Sequence, residues 1–263
     1  MYRNLYQLIS AACCHIAVTV NDELVSEGSG FSFLPSGQVL TAAHVVTGRM
    51  PIRQDDFSDP HQRILCKFPG RPQQEYKVLL CGFNIVMAEF NEILQIDIAV
   101  LAPALPNNNI VPYLAASTTP PQLGKLVFAA GYSDELSTPF GLDQLLPGGT
   151  ASLNTASQSA HTGYLTDFGG PIIKRGVVGN TTRGIATYGP DARELHVDLF
   201  YIDNGIHSGA SGGPICNVHG DAVGLITRRA VTSASQEASP GIFVPSGCTI
   251  GVSLQPLRAL AEA

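Results

Sequence analysis

The segment at 203–215, DNGIHSGASGGPI, constrains this chain more than any other stretch of it. Ser211 stands there among glycines and is followed by a proline and an apolar strand at 215–218. That pattern describes a hydroxyl on a tight turn whose backbone can approach another molecule closely. Gly209 and Ser211 are spaced so that their N–H groups can converge on one point. A tetrahedral acyl-transfer intermediate needs such a donor pair for its oxyanion, and losing one donor costs about 10²–10³ in rate. A glycine-rich hairpin loop with an incidental serine is the plainer account of the same residues.

At neutral pH a serine hydroxyl is a weak nucleophile, so a catalytic reading requires a histidine base and an acid that orients it. Both residue types are present. TAAHVV at 41–46 sets His44 among small residues at the end of an apolar run, and QIDIAVL at 95–101 sets Asp97 alone inside a strand pattern otherwise made for a core. Burying an unpaired carboxylate is expensive, and an imidazole N–H would satisfy it. Asp55 and Asp56 are rival partners for His44, but they lie in the polar loop at 48–61, where charged residues are usually solvated.

The order His44, Asp97, Ser211, with TAAH, DIAVL and GASGGP around them, resembles the chymotrypsin-like serine proteases. It is closest to their bacterial trypsin-like and HtrA-type branch, without the peptide-binding domain that HtrA proteins append. The GSGF at 28–31, the PSGQVL at 35–40 and the GKLVFAAGY at 124–132 are similar to that branch as well, so the resemblance runs from about Ile16 to Leu260. It implies an all-β fold of two six-stranded antiparallel barrels facing each other across a cleft, with short N- and C-terminal helices. It further implies a His44–Asp97–Ser211 triad and an oxyanion hole from the Gly209 and Ser211 amides. The implied activity is a serine endopeptidase acting on a protein or peptide substrate. A catalytically idle or partner-gated binding module on the same fold is the alternative, and a regulatory protein partner stays open with it.

The strand pattern is consistent with that architecture. Apolar runs at 16–20, 30–34, 39–43, 64–68, 76–83 and 96–101 make a first barrel, and runs at 126–130, 150–153, 170–173, 199–202, 214–218 and 222–227 make a second. The proline- and asparagine-rich stretch at 102–124 reads as the connection between them. The expected organisation is a helix at 1–15, a barrel at 16–117, and a second barrel with a C-terminal helix at 118–263. Gly148-Gly149 and Gly169-Gly170 read as turn glycines, since neither lies in a phosphate-loop context.

Composition closes off other classes. With 44% hydrophobic and 14% charged residues, 27 Gly and 18 Pro, the chain of 263 residues suits many short strands joined by turns rather than disorder or a coiled coil. A net charge of -6 gives no reason to expect a nucleic-acid partner, and no apolar run is long enough to span a bilayer. The six cysteines do not sit where secreted animal trypsins place their disulfides, which favours free, mostly buried thiols in the cytoplasm. Neither CxxC nor HExxH occurs, so no metal or other cofactor is expected.

Departures from the family bear on control and specificity. Ala210, directly before the serine, replaces the aspartate that zymogen-activated trypsins pair with a new N-terminus, so activation by N-terminal cleavage is not expected. Gly205 stands where a trypsin-like aspartate would select Arg or Lys. Gly205 and Ile206 on one wall, with Thr227 and Arg228 on the other, are the expected substrate-binding residues of a small apolar pocket or one tolerant of acidic side chains. His207 reads as a half-exposed loop imidazole.

Overall fold

The computed structural model describes residues 2–87, 92–106, 110–133, 163, 165–188, 193–233 and 243–261. Among the described residues it holds twelve strands, with short helices near its ends. The first six strands are β1 (Cys13–Val20), β2 (Glu23–Ser32), β3 (Val39–Thr41), β4 (Gln62–Lys67), β5 (Gln74–Met87) and β6 (Glu92–Pro103). They pair in the order β4-β1-β2-β3-β6-β5, and β4 then pairs with β5 to close the ring. The second six are β7 (Leu126–Gly131), β8 (Ile172–Tyr188), β9 (Arg193–Ile202), β10 (Pro214–Cys216), β11 (Ala222–Ser233) and β12 (Phe243–Ser253). Their order is β8-β7-β10-β11-β12-β9, closed by β8 with β9. All of these pairings are antiparallel, closure leaves neither ring with a free edge, and Met87 opposite Ala186 joins the two rings.

β12 is a strand that the sequence pattern does not announce. Pro245, Gly247 and Gly251 interrupt it and read as turn residues, yet Gly251 is there because of packing. A Cβ on it would come within 2.8 Å of the Phe200 ring and 2.5 Å of the Ile215 methyl. The expected strand at 150–153 and the glycines at 148–149 lie outside the described residues. β8 begins within the expected 170–173 segment but runs on to Tyr188.

β1 is buried along almost its whole length, with Cys13, Cys14, Ile16 and Val18 fully inaccessible. A strand covered on both faces needs a second layer, and α1 (Arg3–Ala12) helps supply it: Ile9 and Ala12 are buried in the same core. Tyr2 and Tyr6, at the start of α1, pack against Phe128 of β7 in tilted and edge-to-face contacts, with ring centroids 5.0 and 5.8 Å away, so the helix that precedes the first barrel also packs on the second. Phe31, Phe128 and Phe200 are fully buried, each contributing about 1.5–3 kcal/mol of transfer free energy. The connecting segment is pinned to both barrels rather than merely crossing the surface: Leu114 N donates to Ser32 O (2.9 Å) and Ser117 N to Ala222 O (2.8 Å). A second link is the buried Lys67 ammonium, which donates to Asp167 Oδ1 at 2.7 Å and holds that carboxyl below its ordinary pKa. The last described element is α3 (Pro256–Ala261).

All six cysteines are free thiols, five of them buried. Burial pushes the Cys81 thiol up to about 12 and those of Cys13, Cys14 and Cys216 upward as well, which keeps the reactive thiolate unpopulated at neutral pH. Thermal melts with and without a reductant are therefore expected to coincide. A drop in melting temperature on reduction would reveal a stabilising disulfide. Among the described residues no helix is long and apolar enough to cross a membrane.

Candidate active site

His44 is delivered by a change of secondary structure. β3 ends at Thr41, and the chain turns into the short α2 (Ala43–Thr47), which stops at Gly48 in the left-handed conformation (φ 71°). β6 pairs with β3 as Thr41 opposite Ala99 and Leu40 opposite Val100, so Asp97 lies just past the end of β3, beside α2. Its two oxygens are used separately. Asp97 Oδ1 accepts from the His44 backbone N–H at 2.9 Å, and Oδ2 is 2.8 Å from His44 Nδ1. The carboxylate is almost wholly buried, whereas the imidazole keeps about a quarter of its surface exposed. With the Nδ1 proton directed at the carboxylate, Nε2 is left as an acceptor. The rival acids lie elsewhere: Asp56 is taken by the Arg49 guanidinium and the Arg53 amide, and Asp55 is exposed.

Ser211 occupies the turn between β9 and β10, bounded by Gly209 (φ 84°) and Gly212 (φ 83°). Gly212 N donates to Ile226 O (2.7 Å) and Gly213 N to Ala210 O (3.0 Å), which ties the turn to β11 and curls it on itself. Two of its glycines are dictated by contact. A Cβ at Gly212 would collide with Ser29 O and Thr41 Oγ1 and lie 2.7 Å from Ala42 N, and one at Gly213 would collide with Ala130 O. The serine turn thus presses directly on the backbone that leads into His44. Gly212→Ala is expected to cost roughly 3–5 kcal/mol, because overpacking and an unfavourable φ act together at this joint. Urea unfolding would measure it, and a cost near zero would mean that the turn can withdraw freely.

His44, Asp97 and Ser211 line one cavity of about 400 Å³, along with Ile206, His207, Thr227 and Arg228. Of the three expected catalytic residues, His44 and Asp97 are hydrogen-bonded. The Ser211 hydroxyl instead donates to Thr227 O at 3.4 Å, and among the described residues no hydrogen bond joins it to His44. A bond of that length is weak and readily exchanged, and catalytic contacts are often loose without substrate. The amides of Gly209 and Ser211 donate to no protein acceptor among the described residues, as an oxyanion site requires.

Of the four residues named for substrate binding, Ile206, Thr227 and Arg228 line the cavity and Gly205 does not. Its carbonyl receives the Lys174 ammonium (2.6 Å), and a Cβ on it would come within 3.1 Å of Gly247. His207 does line the cavity, with Nδ1 3.3 Å from Ser208 O. Met50 is a lining residue that nothing in its sequence context signals. It also borders a second cavity of about 230 Å³ between the barrels, shared with Asp97, Thr227 and Arg228. Among the described residues no cluster of His, Cys, Asp or Glu could hold a metal ion.

Comparison with known proteins gives a family and a fold. The family model described as trypsin-like peptidase domain matches residues 28–225, which include all three candidate catalytic positions. No curated protein sequence matches the chain. Among solved structures, it is similar to the Rv3671c protease of M. tuberculosis in its active form, with a TM-score of 0.56 and 16% identity over 98% of this chain and 82% of that one. It is also similar to the inactive form of the same protease, with a TM-score of 0.54 and 17% identity over 98% and 91% of the two chains. At that level of identity the likeness speaks for the fold.

Proposed function

This chain belongs to the trypsin-like peptidase family of serine proteases, and from that premise we propose that it is an endopeptidase working through His44, Asp97 and Ser211. The observation that carries the reading is the use of both Asp97 oxygens on one histidine, in the cavity that Ser211 also lines. Ser211 Oγ attacks the scissile carbonyl and passes its proton to His44 Nε2. Asp97 keeps the other imidazole proton on Nδ1 and stabilises the cation that forms. His44 then gives the proton to the leaving amine, and water repeats the sequence on the acyl-enzyme. The Gly209 and Ser211 amides receive the negative charge that develops on the carbonyl oxygen.

Ala210 has no carboxylate with which to capture a new N-terminus, so control by N-terminal cleavage is not part of the proposal. The free thiols support a reducing compartment such as the cytoplasm. One observation favours a gated form of the same reading, in which a protein partner completes the site: Ser211 Oγ rests on Thr227 O instead of on His44. A fluorophosphonate probe tests the proposal. Labelling of the wild type and not of Ser211→Ala supports a working nucleophile. No labelling of the folded protein, alone or with cell extract, would leave a protease fold used only for binding. Cleavage-site profiling on a peptide library would then define the substrate.

A further inference from the structure

One buried residue of the first barrel touches the serine turn of the second at more points than any catalytic step needs. Ser29, on β2, is fully inaccessible to solvent. Its backbone N–H donates to Ser211 O at 2.8 Å, and its hydroxyl donates to Gly209 O at 2.9 Å. The same hydroxyl accepts from Tyr132 N at 2.8 Å, at the end of β7, while the Ser29 carbonyl accepts from Thr41 Oγ1 at 2.7 Å, just ahead of His44. Ser29 is therefore bonded to the backbone of both residues whose amides form the proposed oxyanion hole, and to the strand that introduces the base.

The physical need for such an anchor comes from Gly209. A glycine at φ 84° has little intrinsic preference for one orientation of its flanking peptides, so an unanchored turn of this kind can rotate a peptide plane at small cost. The Gly209 carbonyl belongs to the peptide just before Ala210, and the Ser211 carbonyl to the peptide just after Ser211. Holding both fixes the peptide between them, the one that carries the Ser211 N–H. The hold on Gly209 O also limits rotation of the neighbouring peptide that carries the Gly209 N–H. Gly131, behind the turn, lies so close that a Cβ on it would be 2.6 Å from Ala210 Cα, which blocks retreat in that direction.

We propose that the Ser29 hydroxyl is a positioning residue for the oxyanion hole, setting the direction of the Gly209 and Ser211 amides from across the barrel interface. This rests on the protease reading and deepens it. Ser29 touches no substrate, so its effect should fall on the transition state and leave ground-state binding alone.

The test compares wild type, Ser29→Ala and Ser32→Ala. Ser32 is an equally buried hydroxyl on the same strand, but it donates to Leu34 O (2.9 Å), away from the turn. Ser29→Ala is expected to lower kcat about ten- to a hundred-fold, less than outright deletion of an oxyanion donor, with KM nearly unchanged. Its affinity for a peptide boronic acid, which mimics the tetrahedral intermediate, should fall by the same factor, while affinity for an uncleaved product peptide stays constant. Ser32→Ala should keep both affinities. Partial unfolding would weaken both affinities by the same factor, so the ratio of boronate to product affinity still gives an answer for a destabilised variant. Unchanged boronate affinity in Ser29→Ala, or an equal loss for boronate and product, overturns the inference and leaves the protease intact. A wild type that neither cleaves peptides nor binds the boronate overturns both.

Discussion

Ser211→Ala is expected to lower kcat by roughly 10⁶ while leaving KM and stability close to those of the wild type. The size of the loss follows from what is removed. Alanine has no oxygen to form the acyl-enzyme, so the remaining reaction is direct attack by water on a carbonyl still polarised by two amides. The His44–Asp97 pair does not depend on the serine side chain, and the turn is held through backbone groups: Gly212 N on Ile226 O and Ser211 O on Ser29 N. The variant should therefore fold and bind peptides normally. Cleavage of a fluorogenic peptide, followed for long enough to see the residual rate, measures the ratio. Turnover within about tenfold of wild type would mean that some other group performs the attack.

Asp97→Asn is the second large effect, and its direction can be worked out from two hydrogen bonds. The His44 backbone N–H donates to Oδ1, so in asparagine the oxygen must stay on that side. The amide NH₂ then faces His44 Nδ1, which has to accept instead of donate. That moves the ring proton to Nε2, the nitrogen that should receive the serine proton. Geometry is preserved and the tautomer is wrong, a change worth about 10⁴ in kcat. Because both hydrogen bonds survive, the melting temperature should change little, and that combination distinguishes a tautomer effect from disruption of the core. Nearly normal turnover in the Asp97→Asn variant would remove Asp97 from the mechanism.

Much of this was legible before any coordinates. A histidine set among small residues, a lone carboxylate in an apolar strand and a serine between glycines each carry a chemical demand that the other two meet. Asp97 could be chosen over Asp55 and Asp56 for that reason, since only a buried charge requires a partner; in the structure Asp56 finds Arg49 instead. Other features were invisible for equally physical reasons. β12 looks like turns because Pro245, Gly247 and Gly251 interrupt it, and the last of these makes room for Phe200 and Ile215, residues distant in the chain. The resemblance to trypsin-like proteases implies Gly205 on the pocket wall, but contact with Gly247 and the hold of Lys174 on its carbonyl decide where it sits. Ser29 reads as one more residue in a glycine-flanked strand, and the signal that could have found it, a polar side chain inside an apolar barrel, is faint in a short residue.

By itself the sequence determined the all-β class, the chemical kinds of the three candidate catalytic residues and their order, because each is a local matter of side-chain chemistry and periodicity. Only the tertiary structure decided how the two rings meet: Gly212 pressed against Ser29 and Thr41, Asp97 dividing its oxygens between two atoms of His44, and Ser211 resting on Thr227. Those relations depend on backbone atoms brought within ångströms of each other from remote parts of the chain, and no local pattern encodes such distances.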